Sequence, residues 1–461
     1  MAMAAALQVS FSHFIILLIF TSSLITRSST ATPPSECRLN FPDQAVPTKS
    51  GYIPVNPGRS NSAMFYAYYK AQHPHPGPSS QTPILIWLQG GPACSSMLGN
   101  FFEIGPYRVS QCHDGNRNDV FLKPNPGTWN RIFDLLFLDN PIGSGFSVAS
   151  DPAEIPRDQD AVAKHLYAAI TGFLELYPAF RSRQIYITGE SYAGKFIPSI
   201  GYYIVKQNEQ QPASKRVNLK GIAIGNGLTD PVTQVTTPAS TAYNVGLINE
   251  RQRSELEQVQ SAAVKLVGMK KWVQAANAAT SGVSLMMNMT GLATDYDFTR
   301  KRPYEQYLVT RLFRSKDAKR KMGANASIEF NVCSTKVRAM LNGDVMQSVK
   351  SKVEELLVKK VGKVLLFSGN LDIRLGVASN EAWIRTMNWD GIENYMKAEK
   401  NIWRVKGKGS ELSGYVQKYE SLTSVVLMEA GHMATADQTV NSQAMIEDWV
   451  LDKGLFGNKS E

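Results

Sequence analysis

The sequence predicts an α/β fold with a mostly parallel central sheet flanked by helices. Three observations predict it: short apolar runs that read as strands, turn clusters that end them, and amphipathic helical patterns between several of them. The runs are Ile84–Leu88, Leu135–Asp139, Gln184–Thr188, Gly221–Ile224, Val364–Phe367 and Ser424–Met428. They end in QGGP, DNPIGSG, GES, GNG, SGN and EAGH, each carrying Gly, Asn or Asp. Residues 158–176 place Val162, Leu166, Ile170, Phe173 and Leu174 on one face, a spacing that predicts a helix. In parallel sheets the active groups gather at the carboxyl ends of the strands, so the turn clusters are where chemistry is expected.

Of 461 residues 43% are hydrophobic, enough for a large core and too many for a disordered chain. No fixed period is present, which excludes collagen-like and coiled-coil repetition. Lys+Arg exceed Asp+Glu by 49 to 39, a net charge of +10. Most of that charge is scattered, and its one dense cluster, Arg300 to Lys321, reads as a solvated helix face or, as the alternative, a processing site. No nucleic-acid-binding motif accompanies it, so nucleic acid is not an expected partner.

Residues 11–20, FSHFIILLIF, are apolar but too short to span a bilayer, and residues 1–30 read as a secretory signal peptide. No membrane partner is expected, and the oligomeric state is left open. Residues 31–235 and 351–461 read as the two parts of the α/β core. Residues 236–350, helix-prone and without strand–helix alternation, read as a helical cap insertion. Cys37, Cys94, Cys112 and Cys333 would then lie in an oxidising compartment, where three pairings are open. No metal site is expected, since neither Cys-x-x-Cys nor a His cluster occurs. Asn288, Asn325 and Asn458 head Asn-x-Ser/Thr sequons, candidate glycosylation sites.

The segment Ile185-Tyr-Ile-Thr-Gly-Glu-Ser191-Tyr-Ala-Gly194 runs from an alternating strand straight into a helical stretch. Gly-x-Ser in that frame is the nucleophile elbow of the α/β-hydrolase fold, with Ala193 as the small residue two positions on. In this fold the partners follow in the order Ser, Asp or Glu, His. Of His13, His73, His75, His113, His165 and His432, only His432 lies after Ser191, which makes it the candidate general base. Among the intervening aspartates, Asp230 and Asp372 follow apolar strand-like runs. Asp372 is preferred because its run lies nearer the His432 strand in chain order.

These residues sit in blocks that resemble the serine carboxypeptidases: SGYIPV (50–55), IWLQGGPACSSMLGNFFEIGPY (86–107), NPIGSGFS (140–147), ITGESYAGKFIP (187–198), GIAIGNGLTDP (221–231), SGNLD (368–372) with NEAW (380–383), and GHMATADQ (431–438) with AMIEDW (444–449). The resemblance covers nearly the whole mature chain. It implies a triad of Ser191, Asp372 and His432, an oxyanion hole from the Gly91 and Tyr192 N–H groups, and a site for the substrate's terminal carboxylate at Gln89, Gly90, Glu103 and Glu190. It implies a leaving-group pocket at Met433 and a Cys94–Cys333 disulfide. Two carboxyls held together cannot both ionise cheaply, so one is expected to keep its proton and donate to a peptide C-terminus. The activity implied is cofactor-free removal of C-terminal residues from peptides or proteins through an acyl-enzyme, best in mild acid, in a secreted or vacuolar protein. An acyltransferase using glucose-ester donors, or a weakly active binding protein, are the alternatives. Where the family usually has Gly, this chain has Ala93; where it has Cys after the Asp, Leu375; where it has Val-Pro after His-Met, Ala434-Thr435, a change expected to loosen the His432 loop.

Overall fold

A computed structural model describes residues 41–75, 77, 81–111, 120–360, 362–405 and 411–457. The proposed signal peptide, Cys37, Cys112 and Asn458 lie outside the described residues. Among the described residues twelve strands form: β1 (Lys49–Pro54), β2 (Ala63–Tyr69), β3 (Ile84–Leu88), β4 (Tyr107–Gln111), β5 (Val120–Pro124), β6 (Asp134–Leu138), β7 (Ile185–Glu190), β8 (Leu219–Gly225), β9 (Lys363–Gly369), β10 (Asn401–Trp403), β11 (Gly414–Tyr419) and β12 (Leu422–Leu427). Ten of them make one sheet in the order β1-β2-β6-β3-β7-β8-β9-β12-β11-β10, and β4 pairs with β5 apart from it. From β6 through β12 every neighbouring pair is parallel; β1, β2, β11 and β10 extend the edges antiparallel. This is the α/β-hydrolase architecture.

The central strands are buried along their whole length because helices cover both faces, which is why they read as unbroken apolar runs. Alternate residues divide between two cores. Leu85 and Trp87 of β3 pack with Phe137, Trp129 and Trp449 on one face, while Ile84, Ile86 and Leu88 meet Leu136, Ile187 and Ile200 on the other. The second face is closed by helix α1 (Gln159–Leu176) and helix α2 (Ala193–Gln210). Asp158 caps α1 by accepting the Ala161 N–H at 2.8 Å, and Val162, Leu166, Ile170, Phe173 and Leu174 are buried, as their spacing predicts.

Among the described residues no strand lies between β8 and β9; the intervening chain is helical. Its longest part is a pair of packed helices, Glu250–Gly268 and Trp272–Thr290, the first opened by an Asn249–Gln252 capping box and the second ended by Gly291 at φ 66°. Asn288 and Asn325 are both exposed here. The basic stretch is only partly a solvated face: Lys319 is buried, its Nζ bonded to the Ile328 carbonyl, and Lys321 reaches the Phe41 carbonyl at 2.9 Å.

Candidate active site

Parallel register brings the carboxyl ends of β3, β7, β8, β9 and β12 into one row, with Leu88 opposite Gly189, Glu190 opposite Gly225 and Gly369 opposite Leu427. The chain leaves β7 through Ser191, at φ 61°, and enters α2 two residues later. A left-handed non-glycine residue costs about 1 kcal/mol and persists only where its surroundings fix it. Here the Ser191 N–H donates to the Gly225 carbonyl and the Ser191 carbonyl accepts from Leu228, both at 2.9 Å. Gly189 is needed for the close approach of β3: a Cβ there would lie 2.0 Å from the Leu88 carbonyl oxygen.

His432 and Asp372 meet beyond the ends of β12 and β9. Nδ1 lies 2.7 Å from Asp372 Oδ2, and both side chains are buried. Asp372 also accepts from Asn226 Nδ2 at 2.8 Å and from the Arg374 and Leu375 N–H groups at 2.8 and 3.1 Å, so its charge is fully solvated by protein donors. One face of the imidazole is covered by Tyr296, and His432 Nε2, also buried, has no hydrogen-bond partner among the described residues, Ser191 Oγ included. Asp230 lies elsewhere, its carboxylate held by the Thr233 hydroxyl.

Facing the elbow is the loop after β3. A Cβ on Gly90 would lie 2.6 Å from the Tyr192 nitrogen, so only glycine lets the two segments touch. The Gly91 and Tyr192 N–H groups donate to no protein acceptor among the described residues. Ala93 takes φ 75°, the conformation in which its Cβ is strained relative to Gly. The loop is held regardless: the Ala93 carbonyl accepts from Ser334 at 3.0 Å, Ser95 N–H donates to Val332 at 2.7 Å, and Cys94 is disulfide-bonded to Cys333 between them.

Beside Ser191 lies a buried polar cluster. Gln89 Nε2 donates to Glu103 Oε1 at 3.2 Å and to Glu190 Oε1 at 3.0 Å, its own carbonyl being fixed by Trp87 Nε1 at 2.8 Å. The Thr435 hydroxyl donates to Glu103 Oε2, while Glu190 Oε2 is unpartnered. Burial pushes the Glu190 carboxyl well above the usual carboxylate range, and the Glu103 charge pushes it further. Burial raises Glu103 as well, but the Thr435 hydroxyl, Glu190, Gln89 and the Arg108 charge pull it back. Residues 434–437 form a helical turn with Ala434, Thr435 and Ala436 buried, tied down by the Thr435 hydroxyl to Glu103 and by Asp437, which accepts from the Gly431 N–H at 2.9 Å.

Met433 is buried, its sulfur 3.3 Å from Gln306 Nε2. Three residues of the site escaped the sequence reading: Asn226, Tyr296 and the hydroxyl of Thr435. Asn226 carried a signal, since it sits in the GNG turn that ends β8. Tyr296 carried none, lying in a helix-prone stretch with no strand to mark it. A recess of about 1670 Å³ opens at the opposite, amino-terminal ends of the strands, lined by Arg183, Lys220, Lys363 and Asp452, and holds none of these residues.

The profile of the serine carboxypeptidase family matches residues 38–452. The chain is 50% identical over 444 residues to serine carboxypeptidase-like 50 of Arabidopsis thaliana, covering 96% of each chain. It is 32% identical over 422 residues to the human probable serine carboxypeptidase CPVL, covering 90% of this chain and 85% of that one. Among solved structures it resembles the prohormone-processing carboxypeptidase Kex1 of Saccharomyces cerevisiae, with a TM-score of 0.77 at 25% identity over 90% of this chain and 95% of the other.

Proposed function

The chain belongs to the serine carboxypeptidase family of hydrolases, and from that premise we propose that it releases C-terminal residues from peptides through an acyl-enzyme, best in mild acid. The observation that carries this reading is the position of Glu190: a buried carboxyl one residue before Ser191, with one oxygen free, whose proton burial and the Glu103 charge favour. A protonated carboxyl donates to a peptide's terminal carboxylate, whereas an ionised one repels it. Gln89 and the Gly90 backbone complete the seat, and they fix the scissile bond one residue inward, over Ser191.

In this reading Ser191 Oγ turns toward His432 Nε2, gives it a proton and attacks the carbonyl carbon. The tetrahedral oxyanion is met by the Gly91 and Tyr192 N–H groups. Asp372 holds Nδ1–H, so that Nε2 is the basic nitrogen, and stabilises the imidazolium. His432 passes the proton to the leaving amine beside Met433, and a water molecule activated by the same nitrogen releases the acyl group. Residues 236–350 act as a cap that supplies Tyr296 over the base. A secretory or vacuolar setting is favoured by the disulfide and by the exposed sequons at Asn288 and Asn325. Among the described residues no helix is long and apolar enough to cross a membrane.

The test is to incubate the protein with N-blocked dipeptides from pH 4 to 8, beside a glucose-ester donor with an alcohol acceptor, and to repeat with Ser191→Ala. Free C-terminal amino acid, lost in the variant, is the expected result. Acyl transfer without peptide release, or no turnover and no labelling by a fluorophosphonate, would overturn it.

A further inference from the structure

Two carboxyls that share a site hold one proton between them, and which of them holds it decides what the site can bind. Glu103 and Glu190 are chemically alike, both buried and both bonded to the same Gln89 amide. What distinguishes them is the rest of their surroundings. Glu103 Oε2 receives the Thr435 hydroxyl, and Arg108 of β4, whose guanidinium lies over Phe102, adds its positive charge. Glu190 Oε2 receives nothing, and the nearby charge of Asp437 opposes its ionisation. Asp437 is itself anchored by the Tyr304 hydroxyl at 2.5 Å, Arg300 at 3.4 Å and the Gly431 N–H.

We propose that Thr435 is a positioning residue of this site: its hydroxyl favours ionisation of Glu103 over that of Glu190, so that Glu190 is the carboxyl that presents a proton to the terminal carboxylate of the peptide. The inference deepens the carboxypeptidase reading and rests on it for the identity of the ligand. A side chain three residues after His432 thereby joins the loop of the general base to the binding of the leaving residue. The geometry suits the task. Thr435 is fully buried, so water cannot replace its hydroxyl, and a threonine donates one proton only, here committed to Glu103.

Thr435→Val keeps the shape and removes the donor; Thr435→Ser keeps the donor. With the valine variant the proton is shared with Glu103, Glu190 becomes an anion part of the time, and KM for an N-blocked dipeptide with a free C-terminus rises roughly tenfold while kcat holds. The same dipeptide as its C-terminal amide shows no such rise, and the serine variant matches the parent. A second measurement does not need turnover. In a Glu190→Gln background Glu103 is the pair's remaining titrating carboxyl, and Thr435→Val should raise the midpoint of its infrared carboxyl band by about one pH unit or more. An unchanged midpoint, equal losses on both substrates, or a serine variant as impaired as valine would overturn the assignment. Failure of the parent protein to cleave any peptide would sink the carboxypeptidase reading, while the infrared midpoint would still decide the role of Thr435.

Discussion

Tyr296 lies flat against His432, ring centroids 4.2 Å apart and planes 16° from parallel, and its backbone carbonyl accepts the His432 N–H at 2.6 Å. A residue of the helical insertion thus holds the proposed base by both ring and backbone. The insertion is tied into the same corner by Phe298 N–H to the Leu371 carbonyl at 3.2 Å and Ile373 N–H to Asp295 at 3.3 Å. Asp372 is fixed from below, Tyr296 fixes the ring from the side, and Nε2 is left as the working atom.

The stack predicts a graded response. Tyr296→Phe keeps the ring face and should retain kcat near the parent value. Tyr296→Ala removes it, lets the imidazole tilt away from Asp372, and should lower kcat about fivefold, since an aromatic pair contributes about 1 kcal/mol. KM should be nearly unchanged because Tyr296 does not touch the carboxylate seat. Steady-state kinetics of the two variants decide it; an alanine variant with full kcat would show the stack to be incidental.

Asp372→Asn should be more damaging than its size suggests. The aspartate faces only donors: Asn226 Nδ2, His432 Nδ1–H and two backbone N–H groups. An amide placed there must turn its NH₂ toward one of them, which either forces the wrong His432 tautomer or leaves a buried donor unpaired. The expected loss in kcat is on the order of 10⁴-fold, with a lowered melting temperature. A variant that keeps a tenth of the activity would mean that His432 does not depend on this partner.

How much of this was legible in the sequence follows from how each element is buried. Strands β3, β6, β7, β8, β9 and β12 stood out because the sheet's interior shows water neither face, which writes a continuous apolar run. Strands β1, β4, β10 and β11 lie at or next to the sheet edges or in the side ribbon, and their mixed burial leaves runs such as GYVQKY with no clear signal. At the site, chain order alone singled out His432, and strand position separated Asp372 from Asp230. The contacts of Tyr296 and Thr435 were illegible for a different reason. Both join segments more than a hundred residues apart, and no local pattern encodes such a meeting.

The raised Glu190 carboxyl predicts how binding changes with pH. As pH climbs the site loses its proton, two anions face the substrate's carboxylate, and KM for free-acid peptides should rise. Glu190→Gln replaces the titrating donor by an amide N–H that cannot ionise. Its KM should start somewhat higher in acid and stay flat toward pH 8. KM measured at intervals of pH for the two proteins gives the answer, and curves of the same shape would remove the proton from the binding step.

The same groups predict a stability profile. Glu190 and Glu103 are raised by burial, and burial pushes Asp139 up to about 6. A carboxyl with a raised folded-state pKa holds a proton that the unfolded chain has already lost, so its contribution is full below the unfolded value near 4 and is lost as pH rises through the folded one. Melting temperature should therefore fall from about pH 4 upward, Asp139 completing its part by about pH 6. Glu190→Gln should flatten the fall, and above neutrality it should melt higher than the parent. Calorimetry across that range checks the sign; a parent protein whose stability climbs steadily from pH 4 to 8 would contradict it.

Loss of the Cys94–Cys333 bridge should damage catalysis beyond its effect on stability. The bridge closes a separation of 239 residues and sits between two backbone hydrogen bonds, Ser334 N–H to Ala93 and Ser95 N–H to Val332. These contacts hold Ala93 at φ 75°, a conformation an alanine leaves when released, and Gly91 with its free N–H lies two residues upstream. Replacing both cysteines by alanine should destabilise the protein by about 2–5 kcal/mol, the usual range for a native disulfide. Once freed, the loop lets the Gly91 N–H drift from the oxyanion. At a temperature where the variant is fully folded, kcat should fall by on the order of 10²-fold, the loss associated with one oxyanion donor. KM should fall or rise little, because Gln89 and Glu190 are anchored by Trp87 and by β7, not by the bridge. A variant that melts earlier yet turns over at the parent's rate would leave the disulfide as a staple alone and place the Gly91 N–H under the control of the β3 end.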